Sequence, residues 1–186
     1  MAVESMVKDI ATVVGLVVGG CGFLFGLYQY YVGQKWKKSE FAARQLELLE
    51  SDQRLATVCK LLDWSTRLLP VPEEYQALTA EKVFLHNWVK LMGAMAPEEK
   101  KGAFDWQEML YRDLFDHYFD YLERVNHYIS IRLITTHDVA NLRYWLEQLA
   151  APRFVTEPVF EEFIQAYGYP GVLELGGRFG IDLHRA

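Results

Sequence analysis

The sequence predicts an all-α protein: one N-terminal transmembrane helix followed by a cytoplasmic helical bundle. Three observations predict it. No residue from Ile10 to Gln34 is charged. Beyond that run, apolar residues recur at three- and four-residue spacing, the period of a helix buried on one side. Strand-like alternation is absent, and β-branched runs are scarce.

The uncharged run comes first. Its 25 positions span ~37 Å at ~1.5 Å rise per residue, more than the ~30 Å hydrocarbon core of a bilayer. A cleaved signal peptide needs a positive start and a small-residue cleavage site. The opening MAVESMVKD has Lys8 against Glu4 and Asp9, and no A-x-A-like site follows the run. Val18-Gly19-Gly20-Cys21 loosely resembles a lipobox, but the residues after Cys21 remain membrane-grade, which favours an ordinary intramembrane cysteine. One lysine precedes the run, whereas Lys35, Lys37 and Lys38 follow it. Positive charge stays on the cytoplasmic side, so the N-terminus is expected outside and the remainder in the cytoplasm (at the inner membrane in a bacterial cell). The expected division is a short extracytoplasmic segment over 1–9, the transmembrane helix over 10–34, a basic juxtamembrane segment over 35–38 and the cytoplasmic all-α domain over 39–186. Tyr28, Tyr30, Tyr31 and Trp36 join Lys35, Lys37 and Lys38 as the anchor at the inner interface.

The cytoplasmic part carries 15 Lys and Arg against 23 Asp and Glu, a net charge of −8. That argues against broad nucleic-acid binding, which needs a basic face. Cys21 and Cys59 fall in membrane and cytoplasm, so neither a disulfide nor a cysteine metal framework is expected.

SEFAARQLELLE either continues the membrane helix or starts afresh at Ser39. Ser51 or Asp52 caps the next helix, with Leu55, Val58, Cys59, Leu62 and Leu69 on its apolar face. Pro70-Val71-Pro72 breaks the chain. Thr79 is read as the cap of a helix over AEKVFLHNWVKLMGAM, with Val83, Leu85, Trp88, Leu91 and Met92 as its apolar bulk. The longest cytoplasmic element is predicted over Phe104–Ile134, with Leu110, Leu114, Tyr118, Leu122 and Val125 facing inward. Thr136, or Thr135 with Asp138, starts VANLRYWLEQL. Thr156-Glu157-Pro158 starts VFEEFIQAY, with proline in the first turn. Gly168 and Pro170-Gly171 divide it from VLELGGRF, and Gly180 is the stop.

Few residues offer chemistry. Asp113, Asp116, Asp120 and Glu123 share one side of the long helix with His117. A di-metal bundle needs carboxylates and Glu-x-x-His motifs converging from several helices, and this chain has no Glu-x-x-His. Asp113 and His117 supply two ligands at most, so the stripe reads as a solvated face. None of the five histidines lies in an HExxH or Cys/His cluster, and no phosphate-binding or dinucleotide fingerprint is present. Tyr111, Phe115, Tyr118, Phe119 and Tyr121 wrap much of the long helix and read as core first, interface second and ligand pocket third. No catalytic residue, cofactor or metal is expected, and no enzymatic activity.

The stretch YLERVNHYISIRLITTHDVANLRYWLEQL, residues 121–149, resembles bacterial DUF4760-type membrane-anchored helical proteins of unknown function. The likeness rests on a long helix ending Arg-Leu-Ile, a Thr-Thr-His-Asp-Val cap and a tryptophan-bearing next helix. It implies an N-terminal span and a short helical domain. It implies no activity and transfers no site residue.

The sharpest feature lies within the span. At ~100° per residue, and relative to Gly15 at 0°, Gly19 falls at ~40°, Gly22 at ~−20°, Gly26 at ~20°, Gln29 at ~−40° and Gly33 at ~0°. Glycine permits close backbone approach between membrane helices, and Gln29 can add ~0.5–2 kcal/mol by hydrogen bonding across the seam. Gly20 is off this face. The first expectation is therefore an interaction or scaffold protein. It self-associates through the seam as a homo-oligomer in the lipid bilayer and docks a protein partner or small cytoplasmic ligand with its bundle. The second is a ligand-gated effector, with a nucleotide as one candidate ligand, whose clustered spans perturb the membrane. The third is a metal-dependent helical enzyme built on Asp113 and His117.

Overall fold

The computed structural model describes residues 2–155 and 158–185, the side chains of 2–14 and 185 aside. Thr156 and Glu157, read above as a helix start, lie outside the described residues. The chain divides into two compact units, Met1–Phe41 and Ala42–Ala186.

Helix α1 runs unbroken over Ala2–Ser51. SEFAARQLELLE therefore continues it, and Ser39 is no start: its hydroxyl donates back to the Lys35 carbonyl at 3.2 Å, inside the helix. Within the first unit, the described apolar residues Leu16, Val17, Val18, Phe23, Leu24, Phe25 and Leu27 are all exposed.

In the second unit, α2 (Gln53–Asp63) is separated from α1 by Asp52. The Asp52 carboxylate accepts from the Arg54 N–H at 2.8 Å and the Leu55 N–H at 3.1 Å. This satisfies donors that a helix start otherwise leaves without partners. Leu55, Val58, Cys59 and Leu62 are buried as predicted, together with Leu61, but the helix ends at Asp63, where Trp64 turns to an extended backbone, so Leu69 is buried from a strand and not from this face.

The Thr79-capped helix is not there. Its first part is strand β2 (Val83–Leu85), which pairs antiparallel with β1 (Leu68–Pro70), Leu69 opposite Phe84. The helix α3 begins only at Trp88 and ends at Met95, capped by Asn87, whose side chain accepts from the Val89 N–H at 2.8 Å. The reason is alternation: Leu69 and Phe84 go inward, while Leu68, Pro70, Val83 and Leu85 face out. A three-residue strand is too short to declare a period of two in the sequence. This ribbon is a minor feature in an otherwise all-α architecture.

A short turn of helix, α4 (Glu98–Lys101), leads to α5 (Trp106–Ser130), the central element. Its start is a capping box. Asp105 accepts from the Gln107 and Glu108 N–H groups, and the Glu108 side chain accepts from the Asp105 N–H at 3.0 Å. The predicted stripe of Leu110, Leu114, Tyr118, Leu122 and Val125 is buried, as are Tyr111, Phe115, Phe119 and Tyr121. The helix stops four residues before the predicted Ile134. Arg132 takes a left-handed φ of 59°, and the Leu133 N–H turns back to the Tyr128 carbonyl at 3.0 Å.

Thr135 and Asp138 meet as predicted, but they close a turn and do not open a helix. The Asp138 carboxylate accepts from the Thr135 N–H and hydroxyl at 2.8 and 2.7 Å, and α6 begins only at Leu142, running to Ala150. Helix α7 (Glu161–Tyr167) ends at Gly168, whose φ of 79° is the left-handed conformation that terminates a helix at little cost in glycine. Proline opens α8 (Pro170–Arg178), and Gly180, at φ 71°, follows its end as expected. The bundle packs α2, α3 and α8 around α5, with α6 against α2.

Candidate functional site

On α1, the seam residues Gly15, Gly19, Gly22, Gly26, Gln29 and Gly33 lie in one continuous helix and are exposed. A Cβ built on any of the five glycines meets nothing within 4 Å. The anchor residues Tyr28, Tyr30, Tyr31, Lys35, Trp36, Lys37 and Lys38 are exposed on the same helix. From Gly15 onward this helix is long and apolar enough to cross a membrane, with a stretch of mean hydropathy 1.3, none of it buried.

In the bundle, the acidic stripe on α5 is not simply solvated. Three of its carboxylates hold other segments, one the turn at Tyr75 and two the start of α8. Asp113 accepts from the Tyr75 hydroxyl, and Asp116 from the Tyr169 hydroxyl at 2.9 Å. Glu123 accepts from the Gly171 and Val172 N–H groups at 2.5 and 3.2 Å, capping α8 from α5. A Cβ on Gly171 would lie 2.5 Å from the Glu123 carboxylate, so a side chain there would push that carboxylate away from the start of α8. Burial pushes Asp113 and Asp116 above the usual carboxylate range, and the Asp116 charge adds to the effect on Asp113. His117 faces Asp52 at 3.3 Å, not Asp113. Burial opposes ionisation of Asp52, yet its backbone and His117 hydrogen bonds hold it below the ordinary range. Among the described residues no three His, Cys, Asp or Glu are placed to hold a metal.

Two clefts adjoin on this face. One, of about 700 Å³, is bounded by Asp52, Thr57, Pro72, Glu73 and His117. The other, of about 600 Å³, is bounded by Tyr75, Phe104, Met109, Arg112, Asp113 and Asp116. The Arg54–Glu74 pair lines both, with Arg54 Nη2 donating to the two Glu74 carboxylate oxygens at 2.8 and 2.9 Å. Both volumes lie in the range of small-molecule sites. A third cleft, of about 430 Å³, includes Cys59. Burial pushes that thiol up to about 12, so it stays protonated and is not a nucleophile near neutral pH.

Beside the second cleft, Arg112 is buried. Its guanidinium donates to the Ala94 and Ala96 carbonyls at 2.6 and 3.0 Å and to the Tyr167 hydroxyl. It also stacks against Phe104, Tyr167 and Phe163 at 4.3, 4.8 and 5.1 Å. Glu98 is 3.8 Å away and mostly exposed, so ring faces and carbonyls do most to replace the lost water.

A second buried network joins the ribbon to α5. The Tyr111 hydroxyl accepts from the Asn87 N–H at 3.2 Å and the Gln107 amide at 3.1 Å. With both lone pairs engaged, its own proton goes to His86 Nδ1, 3.1 Å away. This assigns the proton of neutral His86 to Nε2. Burial pushes His86 down to about 4, with the Leu61 and Trp64 carbonyls opposing only in part. The unfolded histidine, near 6.5, protonates as pH falls while the folded one does not. Stability contributed by His86 is therefore intact above pH ~6.5 and is lost between there and pH ~4, by about 3 kcal/mol in total. Urea unfolding across that interval should show the loss, and the difference between wild type and His86→Gln isolates it. Curves that run parallel would overturn the downward shift of His86.

Neither buried network was legible in the sequence. The nearest signal for the second was VFL beside His-Asn-Trp, a short β-favouring run before a good helix cap.

The fold and the uncovered helix define the class: an all-α protein with, among the described residues, one helix near the N-terminus long and apolar enough to cross a membrane. Comparison with protein-family models, curated proteins and solved structures finds no match to this chain.

Proposed function

We propose that this is a single-pass membrane-anchored interaction or scaffold protein, self-associating through the glycine face of α1. Its bundle lies in the cytoplasm, where it docks a partner or a small ligand. One observation carries the reading: the apolar stretch of α1 is uncovered, whereas the bundle buries its own apolar stripes. A bare apolar helix in water is costly, at roughly 25 cal/mol per Å² of apolar surface. Lipid removes that cost, and the glycines then allow a second helix to approach closely. The lysines at 35, 37 and 38 orient the span with the bundle inside.

Gly19→Leu combined with Gly22→Leu is expected to abolish dimers captured in membranes by amine cross-linking through Lys35, Lys37 and Lys38. Cross-linking that is unchanged in the double variant would sink the seam.

The adjoining clefts favour a second reading, in which a small cytoplasmic ligand rearranges the bundle and the clustered spans perturb the membrane. A ligand drives such a change only by binding the two arrangements with different affinity. Depolarisation of expressing cells supports this reading, and potentials equal to those of control cells remove it.

A further inference from the structure

The two adjoining clefts beside α5 carry an excess of one charge. Asp52, Glu73, Glu74, Glu98, Asp113 and Asp116 line them against two arginines, a net charge of −4 with His117 neutral. Both arginines are engaged within the protein. Arg54 donates to Glu74, and Arg112 donates to the Ala94 and Ala96 carbonyls and the Tyr167 hydroxyl. The neighbouring Lys100 and Lys101 pair with Glu162 and Glu108, outside the clefts. Asp52 has His117 beside it, and Glu98 lies 3.8 Å from Arg112. Glu73, Asp113 and Asp116 have no ion-pair partner among the described residues. Arg54 and Arg112 act on Asp113 and Asp116 only at longer range. Between these charges the walls are apolar and open: Leu78, Met109 and Tyr167 are 60%, 39% and 38% exposed.

We propose that this groove docks an extended basic segment of a partner protein, which seats a lysine or arginine in each cleft, on either side of the Arg54–Glu74 bridge. The inference rests on the reading of the bundle as a docking module. Charge, side-chain shape and openness select this occupant. A basic segment complements the groove, whereas a nucleotide or other anion meets a net −4 surface whose arginines are already engaged. The alkyl stem of lysine or arginine covers apolar wall while its head reaches a carboxylate. Small-molecule sites bury most of their ligand. Two open clefts in succession suit a chain laid across them, with alternate side chains entering successive pockets.

The test uses the full chain in phosphatidylcholine nanodiscs, which carry no net charge. Anisotropy of a short fluorescent peptide of lysine, leucine and glycine is compared with counterparts carrying glutamate or glutamine for lysine. Only the lysine peptide should saturate, and its affinity should fall as salt rises. Asp113→Asn with Asp116→Asn should weaken it by about fivefold. Glu99→Gln with Asp120→Asn removes the same charge outside the clefts and should leave it nearly unchanged. Leu78→Lys, at an exposed position, keeps every carboxylate in place and should also weaken binding, which guards against a folding defect in the asparagine pair. A lysine peptide that does not saturate overturns the proposal. So does equal binding of the glutamate peptide, or an equal loss in the two double variants. Spermidine that saturates where the peptide does not makes the occupant a small amine and overturns it too. Alkaline carbonate extraction of native membranes separates the two levels. Release of the chain refutes anchoring and leaves the groove standing, whereas a retained chain that binds no lysine peptide refutes only the docking of a basic segment.

Discussion

Phe115→Ala is expected to lower the stability of the bundle by about 3–5 kcal/mol. Phe115 is fully buried near the middle of α5. Its ring stacks on Phe160 at 4.9 Å and 28°, meets Tyr118 edge-on at 6.4 Å and leans on Phe119 at 5.9 Å. Phe119 in turn meets Phe163 at 5.9 Å and Tyr169 at 5.4 Å. Truncating Phe115 removes transfer energy and leaves a cavity that stiff rings fill poorly, so little relaxation offsets the loss. A domain stable by ~5–15 kcal/mol would lose a large fraction of that. In urea the midpoint should fall by about 2 M at a slope near 2 kcal/mol/M. A shift well under 0.5 M would mean that the ring cluster repacks freely.

The second large effect is at Arg112. Arg112→Ala removes three hydrogen bonds from a charged donor and three ring contacts, and strands the carbonyls of Ala94 and Ala96 at the end of α3. A loss of about 3–4 kcal/mol is expected, since bonds to charged groups each contribute ~1.5–3 kcal/mol and desolvation of the guanidinium offsets part of the sum. Arg112→Lys should recover less than half. A compact ammonium cannot reach two carbonyls and a hydroxyl while lying flat on rings. Arg112→Met separates packing from hydrogen bonding. If Met matches wild type in urea unfolding, the charge contributes no net stability, and the stranded carbonyls have found other donors.

These two residues show how much of the protein could be read in advance. Phe115 was legible as core, because its neighbours recur at helical spacing and few solvated helices carry aromatics on several sides. Arg112 was not. A lone arginine on an amphipathic helix reads as solvated, and its partners come from Ala94, Ala96, Phe104, Phe163 and Tyr167, up to 55 residues away. The acidic stripe of α5 is solvent-facing as read, with Asp113 and Asp120 exposed, but its partners were hidden for the same reason. Spacing put Asp113, Asp116 and Glu123 on one side, but only packing brought Tyr75, Tyr169 and the start of α8 to them.

The ribbon is the clearest miss in local structure. Val83-Phe84-Leu85 lies before a good helix, and a helical wheel absorbs those three residues without conflict. What makes them a strand is Leu68–Pro70, held opposite by a loop with a short helical turn at Glu73–Tyr75. A strand needs a partner for its backbone hydrogen bonds, so its identity is a pairwise property. A helix satisfies its own.

That difference divides the molecule. The all-α class, the membrane-length apolar helix, the glycine face along it and the buried stripe of α5 can be read from the chain alone. Each follows from a period or a run carried within one segment. The ribbon, the Tyr111–His86 network, the ring-stacked Arg112 and the clefts beside Arg54 and Glu74 come from packing. Each of these joins groups far apart in the chain, and their meeting is set by how helices pack together.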